Sequence, residues 1–77
     1  MEDLRLFLKE QINEITYSDV EYDEELVESG ILDSIAIVDL IVVLEEELNI
    51  SVPNGDVIPD NFQTINSIST YLESKTA

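Results

Sequence analysis

GILDSIAIVDLIVVLEEEL, running from Gly30 to Leu48, is the stretch whose reading decides how this chain folds. Nine of the ten residues from Ile35 to Leu44 are apolar and six are β-branched, which on propensity alone suits a buried strand. Length and continuation reverse that reading. The pattern runs on through Glu45-Glu46-Glu47-Leu48 with no Gly or Pro, and three adjacent glutamates suit a helix far better than a strand. At helical spacing Ile37, Leu40, Ile41, Leu44 and Leu48 share one face, while Ile35, Val38, Asp39, Val42 and Glu46 share the opposite one. The first face is core. The second mixes apolar and acidic residues and needs a cover, either a neighbouring helix or another protein. Interrupted by Asp39, the apolar run is too short to span a bilayer.

The turn in front of this run, Gly30-Ile31-Leu32-Asp33-Ser34-Ile35, places one hydroxyl at the start of a buried element. Aspartate and serine are both preferred where a helix leaves its first N–H groups unpaired, so either Asp33 or Ser34 can be the cap. Neither choice completes a capping box, because the residue three after Ser34 is Ile37 and the residue three after Asp33 is Ala36. The functional alternative is an attachment point, since the dipole and free N–H groups of a helix N-terminus favour a phosphate ester.

Working outward, residues 3–15 carry Leu4, Phe7, Leu8, Ile12 and Ile15 at three- and four-residue intervals, the stripe of an amphipathic helix from which Leu6 departs. Asp3 can cap it, and Arg5 and Lys9, with Glu2 and Glu10 nearby, read as a solvated face. From Thr16 to Ile31 the period breaks into a long loop crowded with Asp19, Glu21, Asp23, Glu24, Glu25 and Glu28, with Asp33 just beyond. Asp19, Glu21 and Asp23 alternate like the first ligands of a calcium loop, but the sixth position is Glu24 instead of Gly and the twelfth is Gly30 instead of Glu. No metal site is expected. Leu26 and Val27 should fasten the loop to the core, and Tyr17 and Tyr22 read as packing residues. After the central helix, Pro53 and Asn54-Gly55 enforce a turn. Asp56-Val57-Ile58 can form one helical turn before Pro59, Phe62 should plug the core from the loop, and Thr64 should cap a last helix carrying Ile65, Ile68 and Leu72, with Tyr71 at its edge. Ser74 to Ala77 should fray.

Seventy-seven residues make one small domain, 1–77, of modest stability. The 44% hydrophobic content argues against disorder, whereas a net charge of −15 pulls the other way. Eighteen acids against Arg5, Lys9 and Lys75 repel polyanions, so nucleic acid and anionic membrane are poor partners and basic protein surfaces good ones. The chain has no cysteine, so a thioester requires an added thiol; it has no histidine, so the commonest general base is missing. With Gly only at positions 30 and 55, no triad or phosphate-cradling loop can be assembled, and the chain is not an enzyme. Met1-Glu2-Asp3-Leu4-Arg5 is no signal peptide, and the cytoplasm is the expected compartment.

The Asp33-Ser34-Ile35 turn, followed by Val38-Asp39-Leu40 and Leu44-Glu45-Glu46-Glu47-Leu48, resembles the acyl and peptidyl carrier protein family, and the resemblance extends over Ile50-Ser51-Val52-Pro53 and Thr64-Ile65-Asn66-Ser67-Ile68. It implies that Ser34 bears 4'-phosphopantetheine, whose thiol carries acyl or aminoacyl groups for a fatty acid, polyketide, peptide or related pathway. It also implies an all-α, four-helix bundle of three main helices plus a short third one, with a long first loop. The implied partners are a phosphopantetheinyl transferase and loading and condensing enzymes with basic docking surfaces, met by a monomer. Val38 and Val42, four residues apart, give the docking face an apolar centre with Ile35, rimmed by Asp33, Asp39, Glu45 and Glu46. The fatty-acid pattern commonly continues Leu-Asp-Thr-Val-Glu-Leu, and Ile35-Ala36-Ile37-Val38-Asp39-Leu40 departs from it. A D-alanyl carrier of teichoic acid assembly shares the motif and the acidity. The alternative from another class is an unmodified acidic adaptor, or a nucleic-acid mimic, seated in a basic groove.

Overall fold

Helical periodicity and local capping set the elements of the computed structural model, which describes residues 2–76 and the side chains of residues 4–75. They are α1 (Glu2–Thr16), α2 (Ser34–Leu48), a single 3-10 turn (Asn54–Asp56), α3 (Pro59–Phe62) and α4 (Ile65–Thr76), with no strand among the described residues. This is the expected all-α bundle. α1 packs against α2 and α4, and the short α3 leans on α4. Leu8 and Ile12 of α1, Leu40 and Leu44 of α2 and Ile65, Ile68 and Leu72 of α4 meet in the centre with no exposed surface, as their three- and four-residue spacings require. The capping and charge roles read for Asp3 and Glu2 rest on side chains outside the described residues.

α1 stops because Tyr17 turns left-handed, with φ 61°, and donates its N–H to Asn13 O at 2.8 Å. A side chain in that conformation carries strain of about 1–2 kcal/mol that glycine would avoid. Tyr17 is 91% exposed, so the packing role read for it is wrong. Tyr22 does pack, half-buried, with the Arg5 guanidinium 5.2 Å above its ring. The 17–33 loop is fixed at several points. Val20, Leu26 and Leu32 are buried, Leu26 N–H donates to Gln63 O at 2.7 Å, and Asn66 N–H donates to Tyr22 O at 3.1 Å. Leu26 was readable as a loop anchor; Val20, flanked by Asp19 and Glu21, carries no periodic signal, and Leu32, beside Ile31 in the turn, belongs to no helical stripe.

The basic residues of α1 are not a solvated face. Lys9 Nζ pairs with Asp19 at 3.1 Å and Glu21 at 3.6 Å and donates to Val20 O, drawing the acidic loop onto the helix. Hydrogen bonding to Asp19 holds its ammonium above the ordinary lysine value, against partial desolvation, with Glu21 adding to the effect. Arg5 reaches across the bundle to Asn66 Oδ1 at 3.1 Å.

α2 ends at Asn49, left-handed at φ 55°. The helical turn read at Asp56-Val57-Ile58 lies elsewhere: Asn54–Asp56 form the 3-10 turn, and α3 begins on Pro59. Ile58, at φ −127° and ψ 155°, is extended because the following proline ring excludes the helical region, and proline itself fits the first helical position. Phe62 is buried as expected, on α3 and not on a loop. Thr64 Oγ1 accepts the Ser67 N–H at 3.0 Å and caps α4. α4 is helical through Ser74 and Lys75 to Thr76, past the point where the sequence pattern ends, and Ala77 lies outside the described residues. Lys75 Nζ lies 3.4 Å from Asp56, which also accepts the Tyr71 hydroxyl at 2.6 Å, tying the 3-10 turn to the end of α4.

Candidate functional site

The turn that launches α2 is built from its two buried ends. Leu32 N–H donates to Leu26 O at 2.8 Å, and both side chains sit in the core, so the intervening residues 27–31 must reverse direction at the surface. Gly30 completes the reversal at φ +84°, a conformation that strains any L side chain although nothing lies within 4 Å of its position. Asp33 follows in an extended conformation, φ −81° and ψ −178°, and its Oδ1 accepts the Ala36 N–H at 2.8 Å. Its carbonyl accepts the Ile37 N–H at 2.9 Å. Asp33 is therefore the cap, which decides between the two alternatives the sequence left open.

Capping by Asp33 makes Ser34 the first residue of α2. Ser34 is exposed, and among the described residues its hydroxyl makes no hydrogen bond. The backbone N–H groups of Ser34 and Ile35 are likewise without acceptors among the described residues, because the cap satisfies only the next two. A nucleophilic oxygen thus stands beside two open donors at the positive end of a fifteen-residue helix. Those groups fit a phosphate ester at Ser34, where the donors would meet phosphate oxygens.

Beyond Ser34, the unburied face of α2 is apolar at its centre. Ile35 is 73%, Val38 59% and Val42 48% exposed, with Asp39 and Glu46 exposed beside them. Ala36, Leu40 and Leu44 take the opposite side into the core. No helix of the described bundle covers Ile35, Val38 or Val42, so these β-branched residues face water. Glu45 does not join them. It is half-buried, and its Oε2 accepts the Val52 N–H at 2.8 Å, holding the segment after α2 against the helix. The structure thus brings Ser34, Asp33, Ile35, Val38, Asp39, Val42 and Glu46 onto one exposed surface and gives Glu45 a bracing role.

A second polar cluster lies at Asp56, Tyr71 and Lys75, which no local pattern marks because Asp56 stands 15 residues before Tyr71 in the chain. Burial first, and the bond to Asp56 second, push the Tyr71 hydroxyl up to about 12. The same bond holds the Asp56 carboxyl below its ordinary value, with Lys75 assisting against desolvation. The Tyr71 ring lies 5.9 Å from that of Phe62. This cluster is structural. Among the described residues no group of three or more His, Cys, Asp or Glu side chains could hold a metal ion, and no helix is long and apolar enough to cross a membrane.

Comparison with known proteins finds both a family and relatives for the chain. A family model described as "Phosphopantetheine attachment site" matches residues 7–72. A D-alanyl carrier protein of Leuconostoc mesenteroides subsp. mesenteroides is 34% identical over 74 residues, spanning 94% of this chain and 95% of the relative. A D-alanyl carrier protein of Streptococcus pyogenes serotype M1 is 41% identical over 51 residues, 66% of this chain and 65% of its own.

Proposed function

The chain belongs to the phosphopantetheine attachment family of carrier proteins, and from that premise we propose that Ser34 is the residue esterified and that D-alanine is the cargo. The carrier is non-catalytic and carries 4'-phosphopantetheine covalently; the arm supplies the thiol that the cysteine-free chain lacks. The single observation supporting Ser34 is its exposed, unbonded hydroxyl at the first position of α2, freed by the Asp33 cap and flanked by two open N–H groups. The protein's part is then confined to binding and orientation. Asp33 orders the helix start, the N–H groups of Ser34 and Ile35 meet the phosphate, and the acidic net charge draws basic partners.

Carrier proteins of this family meet a phosphopantetheinyl transferase and loading enzymes. In our reading these partners dock through basic surfaces on Ile35, Val38 and Val42, with Asp39 and Glu46 as the charged rim, and a cytoplasmic monomer presents that face. The choice of D-alanine over acyl cargoes is supported by the relatives' names and by the departure of residues 35–40 from the fatty-acid pattern. Intact mass after incubation with coenzyme A and a transferase tests the attachment. The wild-type chain should gain one phosphopantetheinyl group and Ser34→Ala none, and a Ser34→Ala chain that still gains it sinks the assignment. The cargo is tested by offering the loaded arm D-alanine with a D-alanine-activating ligase, against fatty acyl donors with theirs. Loading by fatty acyl donors alone would remove the D-alanyl reading.

A further inference from the structure

We infer that the phosphopantetheine arm lies back along the groove between the end of α1 and the start of α2, on the side of the 17–33 loop. This rests on Ser34 as the attachment residue. The groove has a volume of ≈ 460 Å³ and is lined from α1 and its exit by Ile15 and Ser18, from the turn by Ile31, and from α2 by Asp33, Ile35 and Asp39. It begins where the arm begins, because Asp33 and Ile35 are the chain neighbours of Ser34. Its size falls within the range of small-molecule sites, about 300–1,000 Å³. On the other side of α2, the apolar hollow lined by Val27, Ile37, Val57, Ile58, Pro59 and Phe62 has a volume of only ≈ 60 Å³. That is about the room of two waters, too little for the arm.

The chemistry of the groove matches the uncharged length of the arm. Ile15, Ile31 and Ile35 offer apolar surface to its paired methyl groups. The Ser18 hydroxyl, which makes no hydrogen bond among the described residues, is open to an amide of the arm. Asp33 and Asp39 repel the phosphate, which stays at the open N–H groups of Ser34 and Ile35. Contact need not be strong. A short tether gives an effective concentration of about millimolar, so an intrinsic affinity of that order already fills the groove about half the time. A partner's side chain has no such advantage there.

The test uses the whole chain, isotopically labelled and carrying an unlabelled arm, with intact mass establishing that Ser34 is modified. Nuclear Overhauser contacts are then sought between the arm's methyl groups and the protein. Contacts to the methyls of Ile15, Ile31 or Ile35, with a shift of the Ser18 amide between the bare and modified chains, are expected. Contacts confined to Val57 and Ile58, or none at all on a chain modified at Ser34, overturn the inference and leave the attachment intact. Modification elsewhere than Ser34 overturns both.

Discussion

Replacing the two polar residues at the start of α2 one at a time separates structural from chemical function. Asp33 makes the capping bond to Ala36 N–H at 2.8 Å, and Ser34 makes none, so the two substitutions should diverge in stability. Asp33→Ala loses a cap, typically about 1 kcal/mol, and a favourable charge at the helix N-terminus worth about 0.3–1 kcal/mol. Removing one of eighteen acids from a chain of net charge −15 returns a part of this, so the expected loss is about 1 kcal/mol. In a domain of this size that lowers the thermal midpoint by about 4–8 °C. Ser34→Ala, at an exposed position without a hydrogen bond, should stay within about 0.5 kcal/mol of the parent. Asp33→Asn keeps the cap while removing the charge, and should fall between the two. The assay is thermal unfolding followed by circular dichroism, paired with intact mass after treatment with transferase and coenzyme A. Ser34→Ala should melt like the parent and gain no arm. A Ser34→Ala midpoint depressed as far as that of Asp33→Ala would refute the reasoning, because the serine would then be holding the helix start.

The docking face predicts a kinetic separation: Asp39→Lys with Glu46→Lys should slow arm transfer by a basic transferase and recover at high salt, whereas Val42→Asp should slow it at every salt concentration. Glu45 is left out of the pair because its carboxylate braces Val52, and wild-type rates for both folded variants across the series would move the recognition face elsewhere. Tyr71, with a folded value of about 12 against 10.0 for the free side chain, contributes stability that is fully present below pH 10 and lost as pH rises through 12. Tyr71→Phe should therefore melt lower than the parent below pH 10, and the two midpoints should converge toward pH 12; parallel curves would show that the hydroxyl does not couple to folding. Gly30→Ala should cost about 1–2 kcal/mol because its φ is +84°, while Gly55→Ala, with a side chain that would enter open space, should be close to neutral in the same melts.

What the sequence determined by itself was everything carried by short-range pattern. Glu45-Glu46-Glu47 told helix from strand, Thr64 marked the start of α4, and Asp33-Ser34 behind Gly30 located the candidate attachment point, because periodicity, capping and turn chemistry act over a few residues. Even there one local rule was missed at Ile58, where the proline that follows forbids the helical turn. The tertiary structure decided matters that depend on which distant segments meet. Helical spacing divides α2 into two faces, but only the absence of a covering helix shows that Ile35, Val38 and Val42 are exposed. Glu45 and Glu46 are adjacent in an acidic run, yet one is drawn to Val52 N–H, seven residues on, and the other is left to solvent. Arg5 and Lys9 looked like ordinary surface charges; the first spans 61 residues to Asn66, and the second holds the acidic loop, because with few cations in the chain each meets carboxylates or carbonyls wherever the bundle places them. Val20 is buried for a like reason: a single apolar side chain in a loop has no period to announce it, and only the closing of the 17–33 segment over the helices takes it out of water; Leu32 and Ile31 are adjacent and equally apolar, and the same closing buries the first and leaves the second half-exposed.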